Sequence, residues 1–224
     1  MSRIARLVVP GLPHHITQRG NGRQQIFFDD ADYITFRDLL AASFKEARVS
    51  CWAYCLMPNH IHAILVPKNQ DGLRAALAPV HRRYAGLINA RRKKTGHFWQ
   101  GRYGAAVMDE SHLAAAFHYI MRNPVEADLC NTPAKYKWSS AAAYLKGVDD
   151  GLTETAPMLA RLPDMKSFLT YEAPNFDELL VRDDETIGRP RGDAKFIRSL
   201  ERKTGRSLMP EKRGPKPVKE RRGQ

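Results

Sequence analysis

Two histidines separated by one residue, His60 and His62, are the strongest chemical signal in this sequence. They lie in the apolar segment Leu56–Leu65. Because side chains alternate between the two faces of an extended strand, both imidazoles leave the same face and Ile61 points the other way. Two neutral imidazoles that converge on one point are half of a divalent metal site. Such a pair also occurs by chance or on a solvated surface, so the pattern alone leaves both interpretations open.

A second group of polar residues lies on one flank of a predicted helix, Ser111–Arg122, which Asn123-Pro124 is expected to end. Tyr119 and Asn123 follow His112 on this flank at helical spacing. Tyrosine supplies a nucleophilic oxygen, and asparagine supplies a carbonyl oxygen that a hard cation accepts. If the flank faces the histidines, the site has two nitrogens and one oxygen on a metal, with a phenol beside it. A tyrosine here is also a common packing residue, and Asn before Pro is a common helix stop.

The elements that must position these residues follow from hydrophobic periodicity and from turn signals. Hairpin-linked strands interleaved with helices indicate an α+β fold, with one antiparallel sheet and helices on one side. Pro58-Asn59 is the predicted turn of the hairpin that carries the histidines. Strands are predicted at 14–19, 24–28, 49–57, 60–66 and 98–108, and helices at 72–92 and 111–122. A further helix, which Asp29, Asp30 and Asp32 can cap, is predicted to run to about residue 47.

The charge of the chain narrows the class of partner. The 224 residues include 36 Lys and Arg against 24 Asp and Glu, a net charge of +12, and 43% are hydrophobic, which is enough for a packed core. A positive charge of this size favours an anionic partner, nucleic acid first, although solubility alone is the alternative. No stretch approaches the roughly 18 apolar residues of a membrane span, and no signal peptide is recognisable.

Charge also divides the chain into three parts. Residues 1–150 carry a net charge of +8, residues 151–187 carry −5 and include three prolines, and residues 188–224 carry +9. We therefore predict a main domain at 1–150, an acidic linker or loosely packed subdomain at 151–187, and a basic tail at 188–224. The tail either binds DNA or is disordered.

Three cysteines in a chain without an export signal predict reduced thiols and a cytoplasmic protein, associated with the nucleoid when bound to DNA. Cys51 and Cys55 fall on the same face of one predicted strand. Without a second cysteine pair they are expected to be buried small hydrophobes rather than zinc ligands.

Four blocks of the sequence resemble, in order and with ordinary spacing, those of the REP-associated tyrosine transposases, which belong to the insertion-sequence-type single-tyrosine HUH transposases. The resemblance covers about residues 3–145 and implies a ferredoxin-like α+β layer whose central hairpin carries the histidine pair. Residues 187–217 also resemble the tail of some members. The blocks are GLPHHITQRGNGRQQIFF at 11–28, AYCLMPNHIHAIL at 53–65, HFWQGRY at 97–103 and YIMRNPVEADL at 119–129.

The resemblance implies that His60, His62 and Asn123 hold Mg²⁺ or Mn²⁺ and that Tyr119 is the nucleophile; some relatives have Gln in place of Asn123. It implies a metal-dependent single-stranded DNA endonuclease and strand transferase that forms a 5′-phosphotyrosine at hairpin-containing, repetitive palindromic elements. The protein would be a monomer or a homodimer. Two rivals stay open: a domesticated hairpin-DNA-binding regulator with little or no cleavage activity, and a zinc hydrolase that uses the histidine pair.

Basic residues interleaved with aromatic ones suit the phosphates and stacked bases of a single strand. A solvated surface is the alternative, and the arginines of the tail resemble minor-groove arms or nonspecific counter-charge. The DNA-binding candidates are Arg3, Arg6, Arg19, Arg23, Arg82, Arg83, Arg91, Arg92, Lys93, Lys94 and Arg102, with Arg189, Arg191 and Arg213 in the tail.

Five further histidines are other possible bases or ligands, although none of them is expected to bind the metal. His112 is the best candidate among them, because it shares the flank of Tyr119. They are His14, His15, His97, His112 and His118.

Overall fold

The computed structural model describes residues 6–170 and 188–209, and its centre is a four-stranded antiparallel sheet in the order β2-β3-β1-β4. Met57 pairs with His60, so β2 and β3 form the predicted hairpin with Pro58-Asn59 as its turn. Since β1 pairs with both β3 and β4, the inner strands are β3 and β1. The strands are β1 (His14–Arg19), β2 (Val49–Met57), β3 (His60–Pro67) and β4 (Gly104–Val107).

Helices cover both faces of this sheet. One face packs against α1 (Asp30–Ala47) and α2 (Gly72–Arg91), and the other against α3 (Glu110–Glu126) and the short helices that follow it. The α+β class and the antiparallel sheet are confirmed, but the expectation of helices on one side is wrong. The reason lies in β2, whose Ala53–Met57 segment is buried on both faces and so needs cover on each.

The boundaries of two predicted elements differ from the structure. Residues 24–28 form no strand, and the predicted strand 98–108 is reduced to β4. Residues 98–100 instead pack against the turn after β1, where the backbone N–H of Asn21 donates to the carbonyl of Phe98 (2.9 Å). The backbone of residues 98–100 thus bonds the end of β1 and the turn after it, through an isolated bridge between Gly20 and Trp99, and does not extend β4.

Asn123-Pro124 does not end α3, contrary to the prediction. The helix continues to Glu126 with Pro124 inside it, and the N–H of Ala127 still donates to the carbonyl of Asn123 (3.0 Å). A proline within a helix removes one hydrogen bond. Pro124 and Asn123 are both buried, so tertiary packing offsets that loss. Asn123 consequently keeps a helical position after Tyr119.

A β-bulge separates the two cysteines of β2. The pairing with β3 shifts register between Cys51 and Ala53. An extra residue reverses the alternation of side chains, so Cys51 packs with α1 and α2 while Cys55 packs with α3. Both thiols are buried as expected, but on opposite faces and not on the same one.

The part of the predicted acidic linker that the structure describes packs on the core. Helices α5 (Ala156–Arg161) and α6 (Met165–Thr170) follow α4 (Ala141–Lys146). Met158 and Leu169 are buried in the core that α3 shares with the sheet. Residues 156–170 are therefore structural and not a linker. Residues 171–187 lie outside the described residues, and the domain boundaries stay a prediction.

Residues 188–209 of the predicted tail pack on the edge of the sheet. Their helix, α7 (Ala194–Thr204), buries Leu200 against Leu7, Val9 and Val107. This part is thus neither disordered nor a free arm, whereas residues 210–224 lie outside the described residues. Within the described ranges, no helix is long and apolar enough to cross a membrane.

Burial of histidines predicts a loss of stability in acid. His81 is enclosed by aromatic rings including Phe36 and Trp99, and burial lowers its pKa to about 3. Below pH 6.5 His81 is protonated in the unfolded chain but stays neutral in the folded protein. The free energy of unfolding therefore falls as the pH decreases. Between pH 7 and pH 5, the free energy of unfolding is expected to fall by about 2 kcal/mol less in His81→Phe than in the wild type. Urea unfolding at both pH values measures this, and equal losses in both proteins would contradict it.

Candidate active site

His60 and His62 lie on the inner strand β3, and their side chains leave the same face. Ladders to β2 and to β1 hold the backbone of β3 on both sides. The two imidazole centres are 4.9 Å apart, and the ring planes make an angle of 88°. Ile61 is buried among the side chains of the opposite face. The alternation predicted for this segment is confirmed.

Helix α3 crosses this face and brings Tyr119 to the histidines. The Tyr119 ring meets the His62 ring edge-on, with centroids 5.2 Å apart and planes at 88°. Asn123 follows one helical turn later and is only 7% exposed. The expectation that this flank faces the histidine hairpin holds for Tyr119. Metal ligation by Asn123 stays a prediction.

Burial keeps the two imidazoles neutral. Removal from water disfavours a charged ring, and it lowers the pKa of His60 to about 4, with the Arg19 guanidinium adding to the effect. The pKa of His62 lies well below its usual value, chiefly through burial and then through His15 and His60. A neutral imidazole offers a lone pair to a metal ion, whereas an imidazolium has none. The pair therefore has the protonation state that ligation requires.

The ring nitrogens of the pair have distinct partners. Nδ1 of His60 lies 2.6 Å from Oδ1 of Asn59, and Nδ1 of His62 lies 3.0 Å from Nε2 of His15. His62 is 1% exposed, and its Nε2 has no hydrogen-bond partner among the described residues. A buried polar atom of this kind is costly unless something outside the chain satisfies it. The residues present thus fit a divalent cation.

The remaining ligands of such a cation must come from elsewhere. Within residues 6–170 and 188–209, no three His, Cys, Asp or Glu side chains form a metal-binding group. A zinc hydrolase would need a further histidine or carboxylate, so this rival has no support in the described residues. Amide and water oxygens, which Mg²⁺ and Mn²⁺ accept, suit the site better, and Asn123 is the amide on the facing helix.

His15 also belongs to this site, a position that the sequence did not predict. Thr17 of β1 pairs with His62, and His15 lies two residues along the same face. Burial lowers the pKa of His15 to about 4, with the charge of Arg191 adding to the effect. The alternation of β1 was readable in the sequence. Its pairing partner and register were not, and these bring His15 to His62.

The other histidines are engaged elsewhere or exposed. His14 bonds the backbone of the segment before β1. His112 lies 2.7 Å from the capping Asp109 at the start of α3, and His118 contacts an aromatic ring of α6. His97 is exposed after α2. None of these contacts joins the histidine pair.

Two of the predicted DNA-binding arginines lie at the same end of the sheet as the pair. Arg19 is directly opposite His60 across β1 and β3, so both side chains leave the same face. Arg23 is exposed in the turn after β1, and its backbone carbonyl accepts a hydrogen bond from Nδ2 of Asn59 (3.3 Å). The positive charge of Arg19 acts on both imidazoles.

Three other candidates make intramolecular contacts. The guanidinium of Arg6 stacks on the Tyr103 ring at 3.7 Å, and that of Arg92 stacks on the Phe28 ring at 3.9 Å. Arg91 pairs with a buried carboxylate of α1. These arginines have structural roles, and any contact with DNA would come in addition.

Arg191 acts through its backbone. Its N–H donates to the carbonyl of Val107 (2.7 Å), and its carbonyl accepts from the N–H of Asp109 (2.9 Å), which adds a short parallel bridge to the edge of β4. Its positive charge lies close enough to act on His15. The predicted tail therefore contributes charge to the site from a fixed position.

The remaining candidates are surface residues or lie beyond the described ranges, and their contact with DNA stays a prediction. Exposed are Arg82, Arg83, Lys93, Lys94, Arg102 and Arg189, while Arg3 and Arg213 lie outside the described residues.

Comparison with known proteins defines the class of this molecule as transposase-like. The family model described as "Transposase IS200 like" matches residues 8–123, which is more than half of the chain and includes the histidine pair, Tyr119 and Asn123. The chain therefore belongs to the IS200-like transposase family. No match was found among curated protein sequences.

One of the similar solved structures shares the fold of this chain. The REP-associated tyrosine transposase bound to a REP hairpin superposes with a TM-score of 0.56 at 18% sequence identity, over 69% of this chain and 90% of that chain. A putative transposase from Deinococcus radiodurans R1 aligns with a TM-score of 0.38 at 21% identity, over 53% of this chain and 95% of that one.

The pairing of Arg91 predicts a structural phenotype. Arg91 donates to Oδ2 of Asp32 at 2.7 Å, and the Asp32 side chain is only 4% exposed. Arg91→Gln leaves this carboxylate buried without its cation, and we expect a loss of about 1–3 kcal/mol in the free energy of unfolding. Arg82→Gln, on the exposed face of the same helix, is the matched control and should cost less than about 0.5 kcal/mol. Equal effects in urea unfolding would contradict the structural role.

Proposed function

We propose that the protein is a metal-dependent single-stranded DNA endonuclease and strand transferase that works through Tyr119. The observation that carries this proposal is the contact between the Tyr119 ring and His62, whose buried Nε2 has no partner among the described residues. The ring of a candidate nucleophile is thus in contact with the ring of a candidate metal ligand. A transposase that works through a covalent intermediate and a metal ion would use both residues to break and rejoin a phosphodiester.

His60, His62 and Asn123 would hold the cation, Mg²⁺ or Mn²⁺, with water completing its shell. When bound, the ion neutralises charge on the oxygens of the scissile phosphate. The chain's own part is to present two neutral imidazoles from a strand that ladders hold on both sides. Their placement costs no reorganisation at the moment of reaction.

Tyr119 would attack phosphorus in line. The bond from phosphorus to the tyrosine oxygen forms while the bond to the 3′-oxygen breaks, and the proton that the phenol loses is balanced by the one that the new 3′-OH gains. The product is a 5′-phosphotyrosine. Because this diester retains the bond energy, another 3′-OH can reverse the step and join strands without ATP. The pKa of free tyrosine is about 10, so the phenol must lose its proton to attack. Positive charge around the site would assist that loss.

The strand would approach over the exposed basic residues. Arg19 and Arg23 lie next to the histidines, and the exposed arginines of α2 and lysines after it extend the positive surface. The structural neighbour of the same fold is described as bound to a REP hairpin. We therefore propose hairpin-containing, repetitive palindromic DNA as the substrate, for a monomer or homodimer that acts in the cytoplasm.

Replacement of the nucleophile tests the proposal. Tyr119→Phe is expected to form no covalent adduct with hairpin-containing single-stranded DNA in Mg²⁺ or Mn²⁺, and to keep DNA affinity within about threefold because only one hydroxyl is removed. Denaturing gels detect the adduct. Tyr33→Phe, buried with α1 on the opposite face, is the control and should react as the wild type does.

An adduct that persists in Tyr119→Phe rejects the nucleophile. If the wild type binds the hairpin tightly and forms no adduct under any of these conditions, the protein is the binding regulator and not the enzyme.

Metal removal is a separate test. EDTA should abolish cleavage, and Mg²⁺ or Mn²⁺ should restore it. His60→Ala and His62→Ala should each lower the cleavage rate by at least about 100-fold at fixed metal concentration, because each removes one ligand from the ion. His97→Ala, an exposed histidine, is the control. Cleavage by His60→Ala at the wild-type rate would reject the metal site.

A further inference from the structure

We propose that His15 and Asn59 are positioning residues that hold His62 and His60 in the tautomer protonated at Nδ1, so that each Nε2 presents its lone pair to the cation. The inference rests on the proposed function and deepens it. It concerns which nitrogen of each ring is available, which the spacing of the histidines does not determine.

For His60 the acceptor is an amide oxygen. Oδ1 of Asn59 lies 2.6 Å from Nδ1 of His60. A carboxamide oxygen only accepts hydrogen bonds, so Nδ1 must carry the proton. The orientation of the amide is set independently, because Nδ2 of Asn59 donates to the carbonyl of Arg23 (3.3 Å). Nε2 of the neutral His60 ring is therefore the unprotonated nitrogen.

The backbone holds Asn59 in this place. The N–H of Gly20, just after β1, donates to the carbonyl of Asn59 (3.0 Å). A Cβ atom at Gly20 would lie 2.3 Å from the carbonyl oxygen of Gln24 and 2.8 Å from the Ile26 side chain. Only glycine fits there, so this residue permits the tight turn that carries Arg23, whose carbonyl accepts from Asn59.

For His62 the acceptor is another imidazole. Nε2 of His15 lies 3.0 Å from Nδ1 of His62, and one proton lies between them. If His15 donated it, the proton of His62 would sit on the buried Nε2, as an N–H without a partner among the described residues. If His62 donates, Nε2 keeps a lone pair. The second arrangement avoids a buried unpaired donor and leaves a ligand nitrogen.

The same geometry excludes His15 as a ligand of the same ion. The ring centres of His15 and His62 are 5.2 Å apart, and the planes differ by 21°. The nitrogen separation of 3.0 Å accounts for most of that distance, so the rings meet end to end, as an N–H···N bond requires. An ion between two facing nitrogens would need about 2 Å on each side, more than this separation provides.

The tautomers can be read directly in the metal-free wild type. Long-range ¹H–¹⁵N correlation spectra of the histidine rings at pH 7.5 should show His60 and His62 both protonated at Nδ1. His15→Phe keeps a flat ring and removes the acceptor, so His62 should change to the Nε2–H tautomer while His60 stays unchanged. Asn59→Ala should have the converse effect on His60.

Mn²⁺ binding, followed by EPR, is the second measurement. His15→Phe and Asn59→Ala should each weaken it 10–100-fold. His15→Gln, whose amide oxygen can accept from Nδ1, should recover most of the affinity. His97→Phe is the control and should bind as the wild type does. If His15→Phe does not fold, the wild-type spectra and the Mn²⁺ affinity of His15→Gln still test the inference.

Three results would overturn the inference: a wild-type His62 protonated at Nε2, a His62 tautomer unaltered in a folded His15→Phe, or three imidazole nitrogens on Mn²⁺ by pulsed EPR. The proposed function can fail separately. Correct tautomers and Mn²⁺ binding without any DNA adduct would reject the nicking activity and leave the positioning roles intact.

Discussion

The site depends on the antiparallel pairing of β3 with its two neighbours. The ladder to β2 closes the hairpin at His60, and the ladder to β1 sets Thr17 and Arg19 opposite the two histidines. A slip of one residue in either ladder would send one set of side chains to the wrong face, since the side-chain period of a strand is two. Burial of both faces makes such a slip costly, so packing specifies the register that the chemistry requires.

Burial serves the chemistry as well as the fold. The covering helix α3 removes water from His62 and keeps its ring neutral, and it presents Tyr119 to that ring. The same burial makes each unsatisfied nitrogen expensive. Asn59 and His15 each contact one nitrogen of a ring, and the other nitrogen is the one that we propose binds the cation. The contacts that stabilise the two rings are therefore the same ones on which the proposed metal site depends.

The net charge of +12 overstates the surface available to DNA. Arg6 and Arg92 stack on aromatic rings, and Arg91 compensates the buried carboxylate of Asp32. A count of basic residues cannot separate these roles, because it does not show which side chains have partners within the protein and which face solvent. The positive charge that remains lies near the histidines and along α2.

Local periodicity by itself determined the common face of His60 and His62, and the shared flank of Tyr119 and Asn123, because backbone geometry fixes the periods of a strand and a helix. The family resemblance, carried by short motifs, was likewise readable and is confirmed by the match over residues 8–123. Only the tertiary structure decided that α3 continues through Pro124, that helices cover both faces, that residues 188–209 pack on β4, and that His15 reaches His62. These features depend on which segments, distant in the sequence, pack against one another. Local sequence patterns do not determine such contacts.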